Sequence, residues 1–154
     1  MRRAAAALLA LVVACATPAA PASLSPSPTP RTVVDITYAT VGGKALALDL
    51  DLPGGSGPFP VIVWIHGGAW AEGDKAGGPA AFYSSLGYAV ARVNYRVSSE
   101  ALFPAQLFDV KGAVRWLRAN AAKYRLDADH IGAWGASAGA HRRAPVLPSS
   151  SSPA

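Results

Sequence analysis

Hydrophobic positions change their spacing several times along the 154 residues, and each change marks an expected element. From Thr32 to Ala39 apolar and polar residues alternate and β-branched side chains are frequent. After Gly42-Gly43 the alternation resumes from Lys44 to Leu52, with Leu46, Leu48, Leu50 and Leu52 on one face. A period of two on either side of a glycine turn predicts a β-hairpin. Beyond the loop Pro53 to Pro60, Val61-Ile62-Val63-Trp64-Ile65 is apolar at every position, and Tyr88 to Val93 is a second run of this kind. Such runs fit strands covered on both faces, as in a parallel sheet.

Pro79 to Leu86 predicts a short helix that Gly87 would end. Pro104 suits a first helical turn, after which Leu107, Val110, Val114, Leu117 and Ala121 recur at helical spacing while Lys111, Arg115 and Arg118 take another face. His130 to Trp134 is a last short apolar strand. Hairpin, strand, helix, strand, helix, strand is the order of an α/β fold with a mainly parallel sheet flanked by helices.

The two ends depart from this pattern. Arg2-Arg3 precedes an apolar run, Ala4 to Ala14, that is too short to span a bilayer, so residues 1–22 read as an export leader. Val12-Val13-Ala14-Cys15 resembles the lipobox of bacterial lipoproteins, in which the cysteine is diacylated and becomes the new N-terminus. Each buried lipid methylene would add about 0.8 kcal/mol to membrane anchoring. Ordinary cleavage near Ala20 or Ala22, discarding Cys15, is the alternative, so the expected location is either a cell-surface lipoprotein or a secreted protein. Residues 23–31 continue a Pro/Ser-rich stretch expected to serve as an extended tether.

Composition narrows the picture. With 51% hydrophobic and 15% charged residues, the chain suits one packed domain. The net charge of +5 resides at the ends: without Arg2 and Arg3, 12 basic residues face 9 acidic ones, and without Arg142 and Arg143 as well, 10 face 9. A nearly neutral body without a basic stripe gives no reason to expect nucleic-acid binding. One cysteine excludes an intrachain disulfide, and Cys15 and the three histidines are too scattered to suggest a metal site. Neither a metal nor a cofactor is expected.

Candidate chemistry sits at the ends of two predicted strands. Gly135-Ala136-Ser137-Ala138-Gly139 matches G-x-S-x-G directly after a strand, the setting of a nucleophile elbow that lifts a serine hydroxyl above a sheet. His66-Gly67-Gly68-Ala69-Trp70 follows the strand Val61 to Ile65, where glycines let backbone N–H groups turn toward a developing oxyanion. Ser137 is therefore the candidate nucleophile, with the N–H groups of Gly68, Ala69 and Ala138 as candidate oxyanion donors. Trp70 would either wall a substrate pocket or fill core.

These motifs resemble the α/β-hydrolase-fold esterases of the carboxylesterase, acetylesterase and hormone-sensitive-lipase-like group, in particular the bacterial bifunctional acetylxylan and feruloyl esterase-like branch. The likeness extends through Gly73-Asp74-Lys75, Asn94-Tyr95-Arg96, Phe103-Pro104-Ala105 to Asp109-Val110-Lys111, and Val114 to Asn120, ending with Ile131 to Gly139. It implies that His66 fixes its loop, that Asn94, Tyr95 and Arg96 anchor a strand end, and that Asp109 fixes the helix near the elbow. A small-molecule or polysaccharide-linked ester outside the cell is the substrate expected by analogy. A peptidase or thioesterase shares the elbow and stays open.

Such esterases place their triad in the order Ser, then Asp or Glu, then His. After Ser137 there is no acidic residue and a single histidine, His141. His141 is expected in the first turn of the helix leaving the elbow, pointing away from the place of a base; in the resembled family a histidine here is common and is not the base. Pro145 and Pro148 would break the helix that normally follows. Residues 32–141 are thus expected to form the N-terminal half of an α/β-hydrolase domain truncated after the elbow. Residues 142–154 are expected to be an aberrant low-complexity tail, as a frameshift would produce. The expectation is a carboxylic-ester hydrolase by family whose triad Asp and His are missing from this chain. The alternative is an inactive exported lipoprotein or a pseudogene product without catalysis.

Overall fold

The computed structural model describes residues 29–140. The leader with Cys15, most of the proposed tether, His141 and the segment 142–154 lie outside the described residues. The elements follow in the order β1 (Arg31–Val41), β2 (Lys44–Leu52), β3 (Phe59–Ile65), α1 (Ala80–Ser85), β4 (Ala89–Val93), α2 (Ala105–Ala119), α3 (Ala121–Tyr124) and β5 (Leu126–Gly135), with a 3₁₀ turn at Ser137–Gly139.

The five strands lie in the order β1-β2-β4-β3-β5. β2 is antiparallel to both its neighbours, while β4, β3 and β5 run parallel. Four strands therefore point one way and β2 alone opposes them, the mostly parallel α/β sheet that the element order predicts. Gly42 and Gly43, at φ +57° and +82°, close the hairpin in a conformation that costs glycine little.

The leucine stripe of β2 does what its spacing predicts: Leu46, Leu48, Leu50 and Leu52 are all buried in one core with Val61, Val63, Ile65, Ala89, Ala91 and Val93. Burying a leucine contributes about 1.5–3 kcal/mol, so this stripe fixes the register of the hairpin on the sheet. α2 covers the same face through Val110, Ala113, Val114 and Leu117. On the opposite face Trp64, Val90 and Ala80 form a smaller cluster beneath α1, with Tyr83 packed against it. Trp134 joins there, its ring 4.8 Å from Trp64 and 5.3 Å from Tyr83.

Three boundaries differ from the sequence pattern for local reasons. The long helix pattern divides at Asn120, whose Nδ2 donates to the Trp116 carbonyl at 2.8 Å, and Ala121 then belongs to α3. Pro104 precedes α2 as its cap rather than occupying the first turn. β5 begins at Leu126, four residues before the apolar run, because Leu126 pairs with Phe59 ahead of a register shift in the ladder.

Register positions the chemistry. In the β3–β5 ladder Val61 faces Ile131 and Ile65 faces Gly135, so the two strands end side by side. The segments that leave them, His66-Gly67-Gly68 and Ala136-Ser137-Ala138, emerge at one edge of the sheet. Ligand sites of open parallel sheets form at such carboxyl ends.

Candidate active site

The elbow is tight enough to demand both of its glycines. A Cβ on Gly135 would lie 2.4 Å from the Gly139 carbonyl carbon, and one on Gly139 would lie 2.2 Å from the Ile65 carbonyl oxygen. The turn is closed by the Gly139 N–H donating to the Ala136 carbonyl at 2.9 Å and is tied to β3 by Ala136 N–H on the Ile65 carbonyl at 3.3 Å. Ser137 itself takes φ +49°, a left-handed conformation that costs a non-glycine residue about 1–3 kcal/mol. The strain leaves the residue exposed at the top of the sheet while Ala138 and Gly139 behind it are buried.

The loop after β3 lies directly against this elbow. A Cβ on Gly67 would come within 3.5 Å of the Ser137 Cβ and 3.0 Å of the Ala136 carbonyl. Gly68, Ala69 and Trp70 follow with φ +110°, +51° and +65°, a left-handed turn closed by Ala71 and Glu72 N–H groups on the Gly68 carbonyl at 2.9 and 3.1 Å. Gly68 admits no side chain, since its Cβ would overlap the Glu72 carbonyl at 2.0 Å. Among the described residues the N–H groups of Gly68, Ala69 and Ala138 take no acceptor. Trp70 is 40% exposed, outside the core, and its carbonyl accepts the Ser98 N–H at 2.7 Å.

His66 is buried at the root of the loop. Its Nδ1 lies 2.7 Å from the Gly67 carbonyl, and its Nε2 is buried without a partner among the described residues. With one nitrogen bonded to a backbone carbonyl and the other enclosed, the imidazole is not placed to take the Ser137 proton, and its contacts are those of a loop-fixing residue. Tyr95 stacks on it at 4.3 Å and donates its hydroxyl to the His66 carbonyl at 2.8 Å. Asn94 Oδ1 accepts the Lys75 N–H at 2.6 Å, and Arg96 grips Asp109 through Nε and Nη2 at 2.9 and 2.7 Å. The segment after β4 thus ties the loop of β3 to the head of α2.

One cluster escapes the sequence reading. Lys75 Nζ lies 2.7 Å from Asp49 and 2.8 Å from Asp35, and Arg92 reaches Asp51 at 2.8 Å and Asp49 at 3.4 Å. A bulge at Asp35, φ +55°, turns β1 toward this cluster and brings the Asp35 N–H onto the Asp49 carboxylate. Burial acts to raise the Asp49 carboxyl, but the Lys75 and Asp35 hydrogen bonds, with the charges of Lys75 and Arg92, hold it below its ordinary value. Burial acts to lower Lys75, and the two aspartates hold it above its ordinary value instead. The signal was present as Asp49 and Asp51 inside an otherwise apolar strand, but their partners lie 26 and 41 residues away.

Among the described residues no group of three or more His, Cys, Asp or Glu side chains is disposed to hold a metal ion, and no helix is long and apolar enough to cross a membrane. What the arrangement offers is an exposed serine against the glycine loop that leaves β3.

Comparison with known proteins points the same way. The BD-FAE family model matches residues 48–145. The probable carboxylic ester hydrolase LipM of Mycobacterium tuberculosis is 40% identical over 96 residues, covering 60% of this chain and 22% of that protein. Esterase LipQ of the same organism is 37% identical over 129 residues, covering 78% of this chain and 30% of LipQ. Among solved structures, a truncated form of a carbohydrate esterase from gut microbiota superposes with a TM-score of 0.66 at 35% identity, covering 73% of this chain and 41% of that one. A thermophilic esterase from Thermogutta terrifontis gives 0.67 at 28% identity, covering 82% and 48%. The chain thus spans less than a third of the length of these curated relatives and less than half of these solved chains.

Proposed function

The chain belongs to the BD-FAE family, and from that premise we propose that it carries the nucleophile and oxyanion hole of a serine carboxylic-ester hydrolase acting on esters, carbohydrate esters among them. The observation that carries the reading is the contact of two motifs 69 residues apart, with the Gly67 backbone against Ser137 at the shared ends of β3 and β5. Ser137 Oγ attacks the ester carbonyl. A general base takes the Ser137 proton as the carbon–oxygen double bond opens to an oxyanion held by the Gly68, Ala69 and Ala138 N–H groups; collapse then expels the alcohol, which receives that proton, and leaves an acyl-serine that water hydrolyses to the acid and free Ser137. Preformed donors of this kind contribute about 2.7–4 kcal/mol each to the transition state. Trp70, exposed at the tip of the loop, walls the acyl or alcohol side.

Esterases of this kind take the general base and its orienting carboxylate from residues after the nucleophile, and no Asp or Glu follows Ser137 within residues 138–154. The apolar run Ala4 to Ala14 ahead of Cys15 supports a second reading, an inactive exported protein held at a membrane by acylated Cys15 or released after cleavage of its leader. Removing a member of a Ser-His-Asp triad leaves about 10³–10⁴-fold acceleration over water. Treating residues 1–154 with a fluorophosphonate for hours and mapping the peptides tests the first reading. A single slow adduct on Ser137, lost in Ser137→Ala, is expected. A folded chain with no adduct there, or with adducts spread over many serines, contradicts it.

A further inference from the structure

Tyr95 and His66 form a relay that ends at the Gly68 N–H. The Tyr95 hydroxyl donates to the His66 carbonyl at 2.8 Å while its ring lies flat on the imidazole, 4.3 Å away and 10° from parallel. Stacking fixes the ring plane, and Gly73 crowds its edge, since a Cβ there would lie 2.4 Å from His66 Nδ1. The Gly67 carbonyl can only accept, so the hydrogen bond at 2.7 Å requires a proton on His66 Nδ1, while Nε2 is buried without a hydrogen-bond partner among the described residues. In a planar trans peptide the N–H of one residue points opposite to the C=O of the residue before it. Turning the His66 carbonyl onto Tyr95 therefore turns the Gly67 N–H the other way, and turning the Gly67 carbonyl onto His66 does the same to the Gly68 N–H.

We infer that Tyr95 and His66 are positioning residues for the oxyanion hole, holding two successive carbonyls so that the Gly68 N–H faces the reacting carbonyl. The inference rests on the esterase reading for what the N–H does, and on geometry alone for how it is aimed. Both residues are buried and neither touches substrate in this scheme: Tyr95 acts by holding the His66 ring and carbonyl, and His66 acts on the Gly68 amide through the Gly67 carbonyl.

Three variants separate the relay from a general structural role. Tyr95→Phe removes the hydroxyl and keeps the stack; His66→Phe keeps a stacked ring and removes the donor; His66→Asn restores a donor at the place of Nδ1. Thermal midpoints and ¹⁵N relaxation are measured on each folded chain together with the rate of fluorophosphonate addition at Ser137. The Gly68 amide is expected to be rigid in the parent, with an order parameter about 0.85, and to fall below about 0.6 in His66→Phe. His66→Asn is expected to recover it and Tyr95→Phe to lie between. Adduct formation is expected to slow about tenfold in His66→Phe, less than the roughly 10²–10³ that deletion of an oxyanion donor costs. An unchanged Gly68 amide in His66→Phe, or His66→Asn indistinguishable from His66→Phe, overturns the relay. If Ser137 of the parent forms no adduct, the esterase reading fails, yet the amide measurement still decides the positioning.

Discussion

A methyl group on Gly139 would sit 2.2 Å from the Ile65 carbonyl oxygen and 2.7 Å from that of His66, backbone atoms that cannot rotate away. Gly139→Ala must therefore push the elbow off β3, and it is expected to lower stability by about 1–3 kcal/mol, as overpacking does, and to abolish adduct formation at Ser137. Denaturant unfolding beside adduct mapping checks both. Gly112 gives the contrasting case. It lies within α2, its nearest neighbour to a built Cβ is the Tyr38 ring at 3.7 Å, and its backbone is helical. Gly112→Ala is expected to stabilise by about 0.4–1 kcal/mol, mainly by restricting the unfolded chain. The two motifs were legible because G-x-S-x-G and the loop His66 to Trp70 each follow an apolar run, and both runs lie in strands. The aim of the Gly68 N–H was not legible, since it depends on a Gly67 carbonyl held by the His66 ring, on which Tyr95 stacks from 29 residues further along the chain.

At the scale of elements, the Lys75 cluster couples β1, β2 and β4 to the loop of β3, with the Lys75 N–H on Asn94 and its carbonyl on Arg92. Lys75 is the far anchor of that loop, as His66 is the near one. Lys75→Met leaves Asp49 with the Asp35 N–H at 2.8 Å and Arg92 at 3.4 Å and is expected to cost about 1–3 kcal/mol, the penalty of a buried acceptor that has lost one donor. The pH dependence has a definite sign. Asp49 is depressed in the folded state, so its contribution is present above the unfolded value of about 3.9 and is lost as pH falls through the lower folded one. Lys75 is raised, so its contribution is present below about 10.4 and is lost as pH climbs through the higher folded value. Stability should form a plateau between these limits, and Lys75→Met should remove this alkaline loss, as measured by unfolding at several pH values. Strands and helices were readable from their periods. The start of β5 was not, because the polar residues Asp127 and Asp129 lie ahead of the apolar run; Asp127 bonds the N–H groups of Asp129 and His130, yet the strand runs through them.

Across the whole molecule, the antiparallel hairpin at one edge and three parallel strands beyond it carry both motifs to one end of the sheet. Element order alone implied the mostly parallel sheet, because crossovers of helical length join parallel strands. The order β2-β4-β3 did not follow from the pattern, since apolar runs specify burial on both faces but not which neighbour each strand takes. β5 pairs only with β3 among the described residues. The site thus depends on one interface, the β3–β5 ladder, for the meeting of nucleophile and oxyanion loop. The most direct test is a crystal structure of the chain after reaction with an organophosphate. The expected result is phosphorus on Ser137 Oγ with its phosphoryl oxygen about 2.7–3.1 Å from the Gly68, Ala69 and Ala138 nitrogens. An adduct whose phosphoryl oxygen turns to solvent, away from all three, would contradict it.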